Sequence, residues 1–414
     1  MASRFTDFFQ VKTREEVEAI LIDSLKPLES ETVPLPEAND RISAASLTAP
    51  ESIPPFPRST VDGYAVNSRD TFGASEGFPA MLKVSGAIPI GTLPTTPLKR
   101  GEAMEIPTGG ALPQGADAVV MVEHTESPDP SIVEIYRPVS PLENVVQTGE
   151  DIREGAVVLE KGQKIRPQEL GLLAALGITQ VSVARKPTVG IISTGNEIVP
   201  AETSPLPGQV RDVNRFTLQG LVEQSGGEAR FITLVPDDEK ALKAACEAGL
   251  SNYDLLLLSG GSSVGVRDLT LKVLETFPGF SLLVHGVAVS PGKPTLVVKV
   301  GEKMVFGLPG HPVSTWVIAQ LFVTRALHIL LGARENSPLS WEKATLQGNI
   351  PSAQGREDFV RAKVEGKGKD KVVTPIFSKS GIISSLVAAN ALIRIPLNSE
   401  GVYKGEEVDI LMLL

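Results

Sequence analysis

The stretch LLLLSGGSSVGVRDLT (residues 255–270) decides the fold. Four consecutive leucines bounded by glycine form the pattern of a strand buried on both faces, as in a parallel sheet. The strand runs into glycines and hydroxyls, and Arg267 and Asp268 then open RDLTLKVLETF (267–277), which has helical spacing. The alternation continues on either side. TVGIIST (188–194) predicts a strand, NRFTLQGLVEQSG (214–226) a helix, ARFITLV (229–235) a strand and DDEKALKAACEAGL (237–250) a helix. LLVHGVAV (282–289), TLVVKV (295–300) and MVFGLPG (304–310) predict further strands, and HPVSTWVIAQLFVTRALHILLG (311–332) a long closing helix. Strand alternating with helix over 187–330 predicts a doubly wound α/β domain, its sheet parallel and covered on both faces.

Ligands of such sheets bind beyond the carboxyl ends of the strands, beside helix N-termini. Three stretches qualify: STGNEIV (193–199), SGGSSVGVRD (259–268) and GLPGHPVS (307–314). Glycine lets backbone N–H groups approach a ligand, and a helix start favours an anion such as phosphate. Ser262, Ser263 and Ser314 are candidate hydroxyl donors. Neither a dinucleotide G-x-G-x-x-G nor a Walker A loop is present. One glycine turn alone reads as a tight turn, whereas three at corresponding strand ends read as a site. Glu197 and Asp268 follow two of these ends, and Asp237 and Asp238 follow another strand. Carboxylates beside a phosphate imply a divalent cation such as Mg2+. Asp237 and Asp268 read alternatively as helix N-caps.

The rest of the chain is organised differently. TREEVEAILIDSL (13–25) opens on a capping box, Thr13 with Glu16, and places Val17, Ile20, Leu21 and Leu25 on one helical face. Residues 49–141 are rich in proline and glycine, and VVMVEH (119–124) and SIVEIY (131–136) predict strands of a β-rich domain. Residues 148–178 predict two turns and a helix closed by Gly177. FVRAKVEG (359–366), KVVTPIF (371–377), ALIRIP (391–396) and EEVDILML (406–413) predict a C-terminal β domain.

The bulk composition excludes several classes. The 414 residues exceed what one domain of roughly 150 residues holds. A net charge of -10 argues against a general nucleic-acid or membrane-surface role. One cysteine, Cys246, excludes an intrachain disulfide and reads as a buried thiol, and the four histidines lack zinc-site spacing. No signal peptide is evident in MASRFTDFFQVKTREEV, and no stretch approaches the roughly 20 apolar residues of a membrane span. The expectation is a cytoplasmic protein.

Longer motifs add a resemblance. PPFPRSTVDGYAV (54–66) is similar to the pattern P-x-F-x-x-S-x-M-D-G-Y-A-V, and EIPTGGALPQGADAVVMVE (105–123) to R-I-M-T-G-A-P-L-P-x-G-A-D-A-V-V. With SGGSSVGVRD, PGKP (291–294) and GLPGHPVS, these resemble the molybdopterin molybdenumtransferase family, which includes bacterial MoeA proteins and the E domain of gephyrin. The resemblance extends to SLVAANALIRIPLNSEGVYKGEEV (385–408). It implies four parts: a linking and dimerisation region (1–48 and 142–186), an inserted β-rich domain (49–141), the molybdopterin-binding α/β domain (187–330) and a C-terminal β-barrel-like domain (331–414). It also implies a homodimer that inserts molybdate into adenylylated molybdopterin, with Mg2+ and with release of AMP. A separate molybdopterin adenylyltransferase is a further implied partner.

Carried over by motif, the resemblance gives Asp62, Thr108, Glu197, Asp268 and Lys293 as catalytic, and Glu197, Asp238 and Asp268 as Mg2+ ligands. Asp151 is a further implied position. Ser259, Gly260, Gly261, Ser262, Ser263 and Gly265 would bind substrate from one turn, and Pro309, Gly310, Pro312 and Ser314 from another. His311 reads as a capping or packing residue rather than a base. Val61, Asn196, Ser290 and His311 depart from the family's usual Met, Asp, Lys and Asn. Loss of a lysine at Ser290 calls for compensation by an arginine such as Arg361, or for a different oxyanion, tungstate. The rival functions are a tungstate insertase, an adenylyltransferase and a non-catalytic molybdopterin carrier. The domains outside 187–330 argue against the adenylyltransferase, and Asp62, Thr108, Glu197 and Asp268 argue against the carrier.

Overall fold

The computed structural model describes residues 11–260, 264–334 and 340–413. Four strands, Glu228–Val235, Thr188–Thr194, Leu255–Gly260 and Lys303–Leu308, lie side by side in parallel. Leu296–Val300 and Phe280–His285 complete a six-stranded sheet, both pairing antiparallel. The expected all-parallel sheet is therefore mixed. The reason is local: Val300 and Lys303 are joined by two residues only, and Gly301 takes φ +59 at the first corner, as a tight hairpin requires.

Leu255 to Leu258 are each no more than 2% exposed, so each contributes about 2 kcal/mol of burial. Alternate residues face opposite layers. Val189, Ile191 and Leu257 join a core with the helix Asn214–Gln224 and the closing helix, while Ile192, Leu256 and Leu258 join one with Leu242, Cys246 and Val273. Cys246 is fully buried, and burial pushes its thiol up to about 12. The closing helix, Pro312–Leu330, opens one π-helical turn over Ala319–Val323. It is long and apolar enough to cross a membrane, contrary to the expectation from sequence, but it lies mostly buried in the α/β core.

Two further sequence expectations shift. The helix Arg14–Ser24, assigned to the linking region, buries Val17, Leu21 and Leu25 in the α/β core. The single strand expected over 282–289 is split at Gly286, where φ is +99. Its first part stays in the α/β sheet, and Val289–Ser290 instead pairs with Glu357–Asp358 of the C-terminal domain.

That C-terminal domain is a closed barrel of Trp341–Leu346, Val372–Pro375, Glu357–Glu365, Ala391–Ile395 and Glu407–Met412. In the β-rich domain six strands order as Ala118–Met121, Gly63–Val66, Glu102–Ile106, Ala80–Ala87, Ile132–Ile135 and Thr125–Asp129. It reaches past the expected boundary at 141, because Val145–Val146 pairs with Arg58–Ser59 and Val145 is buried in its core. The linking region pairs Ser30–Pro34 with Gln180–Ala184 around a core of Val33, Leu159, Leu173 and Val183.

Candidate active site

The carboxyl ends of the parallel strands converge. Thr194 and Gly260 are register partners, and a Cβ on Gly260 would lie 1.7 Å from the Thr194 carbonyl oxygen. Gly260 also takes φ +147, so only glycine fits where these two strand ends meet. A small pocket at this end is lined by Thr194, Gly260, Thr270, His285, Thr295 and Leu308.

Glu197 is exposed on the turn after Thr194, and its Oε2 would stand 2.9 Å from a Cβ on Gly195, whose φ is +146. Glycine thus leaves room for the carboxylate to fold back over the strand end. Asp237 braces the same turn, accepting from Thr194 Oγ1 at 3.2 Å and from the Asn196 N–H at 3.4 Å. Asn196 Oδ1 accepts the Asp237 N–H in return. Asparagine suits this exchange, since an aspartate at 196 would face Asp237 with like charge. Capping falls to the other acid of the pair: Asp238 accepts the Ala241 N–H at 2.9 Å and starts the helix Glu239–Asn252.

Ser259 is buried beneath the crest and accepts from Asn214 Nδ2 at 2.8 Å. The same amide donates to Gly310 O at 2.9 Å. Pro309 is buried and its carbonyl receives the Thr315 hydroxyl, while Pro312 occupies the first helical turn and Ser314 is buried behind it. His311 stands at the N-cap position but its side chain does not cap; Nδ1 lies 3.1 Å from Ser380 Oγ of the C-terminal domain. The exposed ring thus contacts the C-terminal domain instead of capping the helix. Gly261, Ser262 and Ser263 lie outside the described residues, as does the side chain of Asp268; Gly265 and Asp268 fall in the helix Val264–Leu274.

Lys293 is exposed on the turn that follows Val289–Ser290. A Cβ on Gly292 would come within 2.4 Å of Ile318, so glycine lets this turn lie on the closing helix. The Lys293 carbonyl accepts from Val287 and Thr295 N–H groups at 2.9 Å each, which fixes the backbone under an exposed cation. Arg361 is 5% exposed on the barrel strand that pairs with Val289–Ser290. Its guanidinium donates to Ser378 O, its Nε has no partner among the described residues, and desolvation lowers its pKa. A buried arginine without a carboxylate partner is suited to an anion.

A second group lies in the β-rich domain. Asp62 Oδ1 accepts the Thr108 N–H at 2.7 Å and the Thr108 hydroxyl at 3.0 Å, so two residues distant in sequence form one unit. The backbone bond first, and the hydroxyl second, hold the Asp62 carboxyl below its ordinary pKa. A groove of about 430 Å3 opens beside them, lined by Asp62, Tyr64, Ile88, Ile90, Glu105 and Pro107. Asp151 stands apart from that pair, exposed where its N–H bonds Ile53 O. No hydrogen bond joins the Asp62 group to the Glu197 group among the described residues.

Sequence reading missed Asn214. Its place at the start of an amphipathic helix, with Asp212 two residues earlier, looks like an ordinary helix N-terminus, and Asp212 Oδ1 does accept the Arg215 N–H at 3.2 Å. Donors, glycine turns and carboxylates gather at the carboxyl ends of the strands, the place where α/β sheets of this class bind small ligands.

Comparison with known proteins makes that class specific. Residues 12–177 match the MoeA N-terminal region, 190–328 a probable molybdopterin-binding domain and 343–413 the MoeA C-terminal region. A Methanocaldococcus jannaschii protein assigned to molybdopterin biosynthesis is 40% identical over 392 residues, 92% of each chain. The molybdopterin molybdenumtransferase of Bacillus subtilis is 33% identical over 389 residues, 93% of this chain and 90% of its own. The crystal structure of a molybdopterin biosynthesis MoeA protein from Pyrococcus horikoshii superposes with a TM-score of 0.85 at 37% identity, covering 97% of this chain and 100% of that one. The chain belongs to the molybdopterin molybdenumtransferase (MoeA) family.

Proposed function

We propose that this protein is a transferase of molybdenum cofactor biosynthesis that inserts molybdate into adenylylated molybdopterin, releasing AMP. The observation that carries the reading is the convergence of Gly260, Glu197 and the Ser259–Gly310 pair at one end of the α/β sheet, in a chain of this family. Such a site works by positioning and by electrostatic stabilisation of phosphoanhydride cleavage, with no protein nucleophile.

The roles divide by chemistry. The glycine turns and Ser259 hold the pterin and phosphate end. Lys293 and the buried Arg361 receive the oxyanion, with Arg361 supplying the cation that Ser290 lacks. Asp62, steadied by Thr108, completes the site from the β-rich domain of a second copy, so the working form is a homodimer. It acts in the cytoplasm on substrate delivered by a molybdopterin adenylyltransferase.

Mg2+ fits the donor set in part. Glu197 is an exposed hard-oxygen ligand, Asp237 and Asp238 lie on the neighbouring turn, and Asp268 is the further candidate. Among the described residues no three acids or histidines gather tightly enough to hold a metal alone. Mg2+ takes one or two carboxylates and completes its shell with phosphate oxygens and water. When bound, the ion neutralises charge on the departing phosphate.

The test is AMP release from adenylylated molybdopterin with Mg2+, comparing molybdate, tungstate and no oxyanion. Release that requires molybdate is expected. Preference for tungstate would reassign the metal, and tight substrate binding without release under any condition would overturn the enzyme reading in favour of a carrier.

A further inference from the structure

We propose that Asn214 is a positioning residue that fixes the separation of the two ligand turns, one at Ser259–Gly260 and the other at Pro309–Gly310. The inference rests on the functional reading above and extends it to a residue that touches neither reacting group. Asn214 is the first residue of the helix Asn214–Gln224 and is 5% exposed. Val213 at the N-cap position makes no side-chain cap and Asp212 Oδ1 accepts the Arg215 N–H, so the Asn214 amide is not used in capping.

Both amide bonds go to the site. One N–H of Nδ2 reaches Ser259 Oγ at 2.8 Å, at the end of the central strand, and Nδ2 also reaches Gly310 O at 2.9 Å, on the turn before the closing helix. The orientation follows from chemistry. Gly310 O is a pure acceptor, so the NH2 group must face it, and Oδ1 is left buried with no partner among the described residues. Burying an acceptor unpaired is costly, and the amide bears that cost while spanning the two turns. One planar group of fixed size therefore sets their spacing. A displacement of about 1 Å in such a loop changes rates by about a hundredfold.

The side-chain chemistry supplies a selective test. In Asn214→Asp the ionised carboxylate still accepts from the Ser259 hydroxyl but repels Gly310 O. Once protonated, its O–H donates to Gly310 O and the bridge is restored. Burial raises the pKa of such a carboxyl, bringing the recovery into the accessible range. The neighbouring titratable and charged groups, Asp212, Arg215 and His311, are unchanged in every variant, so Asn214→Ala controls for them.

Wild type, Asn214→Ala and Asn214→Asp would be compared for oxyanion-dependent AMP release between about pH 8 and about pH 5.5. Asn214→Ala is expected to lose roughly 10- to 100-fold in kcat/KM at every pH. Asn214→Asp should match that loss at high pH and recover at least about fivefold, relative to wild type, on acidification. Asn214→Ala within about twofold of wild type, or an Asn214→Asp ratio flat with pH, would overturn the proposal. Hydrogen exchange of segment 308–313 decides it independently of turnover and of whether Asn214→Asp folds. Faster exchange in Asn214→Ala supports the tie, and unchanged exchange refutes it. Absence of AMP release by wild type would count against the functional reading alone.

Discussion

Asp254 should make the junction between the linking region and the α/β sheet acid-sensitive. Its carboxylate accepts from Arg185 at 2.9 and 3.0 Å and from the Thr188 N–H and hydroxyl at 2.9 Å each. Burial opposes the charge, but the Arg185 and Thr188 bonds outweigh it and bring the pKa from 3.8 to about 2. The side chain is 12% exposed, so little screening applies. The displacement corresponds to about 2.5 kcal/mol of stability. Because the folded pKa is depressed, that contribution is complete above about pH 4, falls to about half near pH 3 and vanishes as pH drops through about 2. Asp254→Asn should therefore cost about 2.5 kcal/mol at neutral pH, with the gap to wild type halved near pH 3. Urea unfolding would be followed by Trp316 fluorescence in a Trp341→Phe background, which isolates the α/β core from the barrel. A neutral-pH gap below about 0.5 kcal/mol, or one that stays constant down to about pH 3, would refute the reasoning.

Other consequences are as direct. Glu357→Gln removes one buried charge between two arginines and should destabilise the barrel junction by ~3–5 kcal/mol, read as a lower barrel unfolding midpoint in calorimetry. Thr108→Val removes the hydroxyl but keeps the backbone bond to Asp62, so the Asp62 pKa should rise only part of the way to its ordinary value, as carboxyl NMR titration would show. Cys246 should resist thiol reagents in the native protein and react at once in denaturant; fast native labelling would contradict its burial.

The α/β domain was legible because its strands are short apolar runs and its turns are glycine-rich, both local signals. The errors arose where local signals are silent. Nothing in VAVSPG shows that Val289–Ser290 leaves one sheet for another, because a two-residue extended segment can add to either edge. The first helix displays an apolar face, but a face does not name its partner, and the helix packs on the α/β core rather than within the linking region. At the site, Glu197 and the glycines could be found from position along the strands. The Asp62–Thr108 pair came through motif resemblance, and only the register of Gly63 opposite Ile106 explains why the two meet. Asn214 escaped because its function lies in what its amide spans, and spacing in the chain does not encode that.

The C-terminal barrel acquires a physical role from the segment it holds. Residues 286–290 are gripped from both sides. Lys12 N–H bonds Gly286 O at 3.0 Å and Lys12 O receives Ala288 N–H at 2.8 Å, while Glu357 N–H bonds Ala288 O at 2.8 Å. The Glu357 carboxylate, 2% exposed, is shared by Arg14 Nε at 2.9 Å and Arg394 Nε at 2.6 Å. Arg14 is partly buried, which lowers its pKa, yet the carboxylates of Glu357, Glu18 and Glu15 raise it overall, so its charge is secure. The first helix, the α/β domain and the barrel thus meet at one ion cluster, and three residues beyond the gripped segment stands Lys293. An exposed lysine on a free turn would sample many directions. Here its backbone is anchored at Val287 and Thr295, lies on Ile318 and is continuous with a strand locked to the barrel. Loosening the barrel would release that anchorage and also the contacts of Ser380 with His311 and the Val313 N–H, so the barrel steadies both the Lys293 turn and the start of the closing helix.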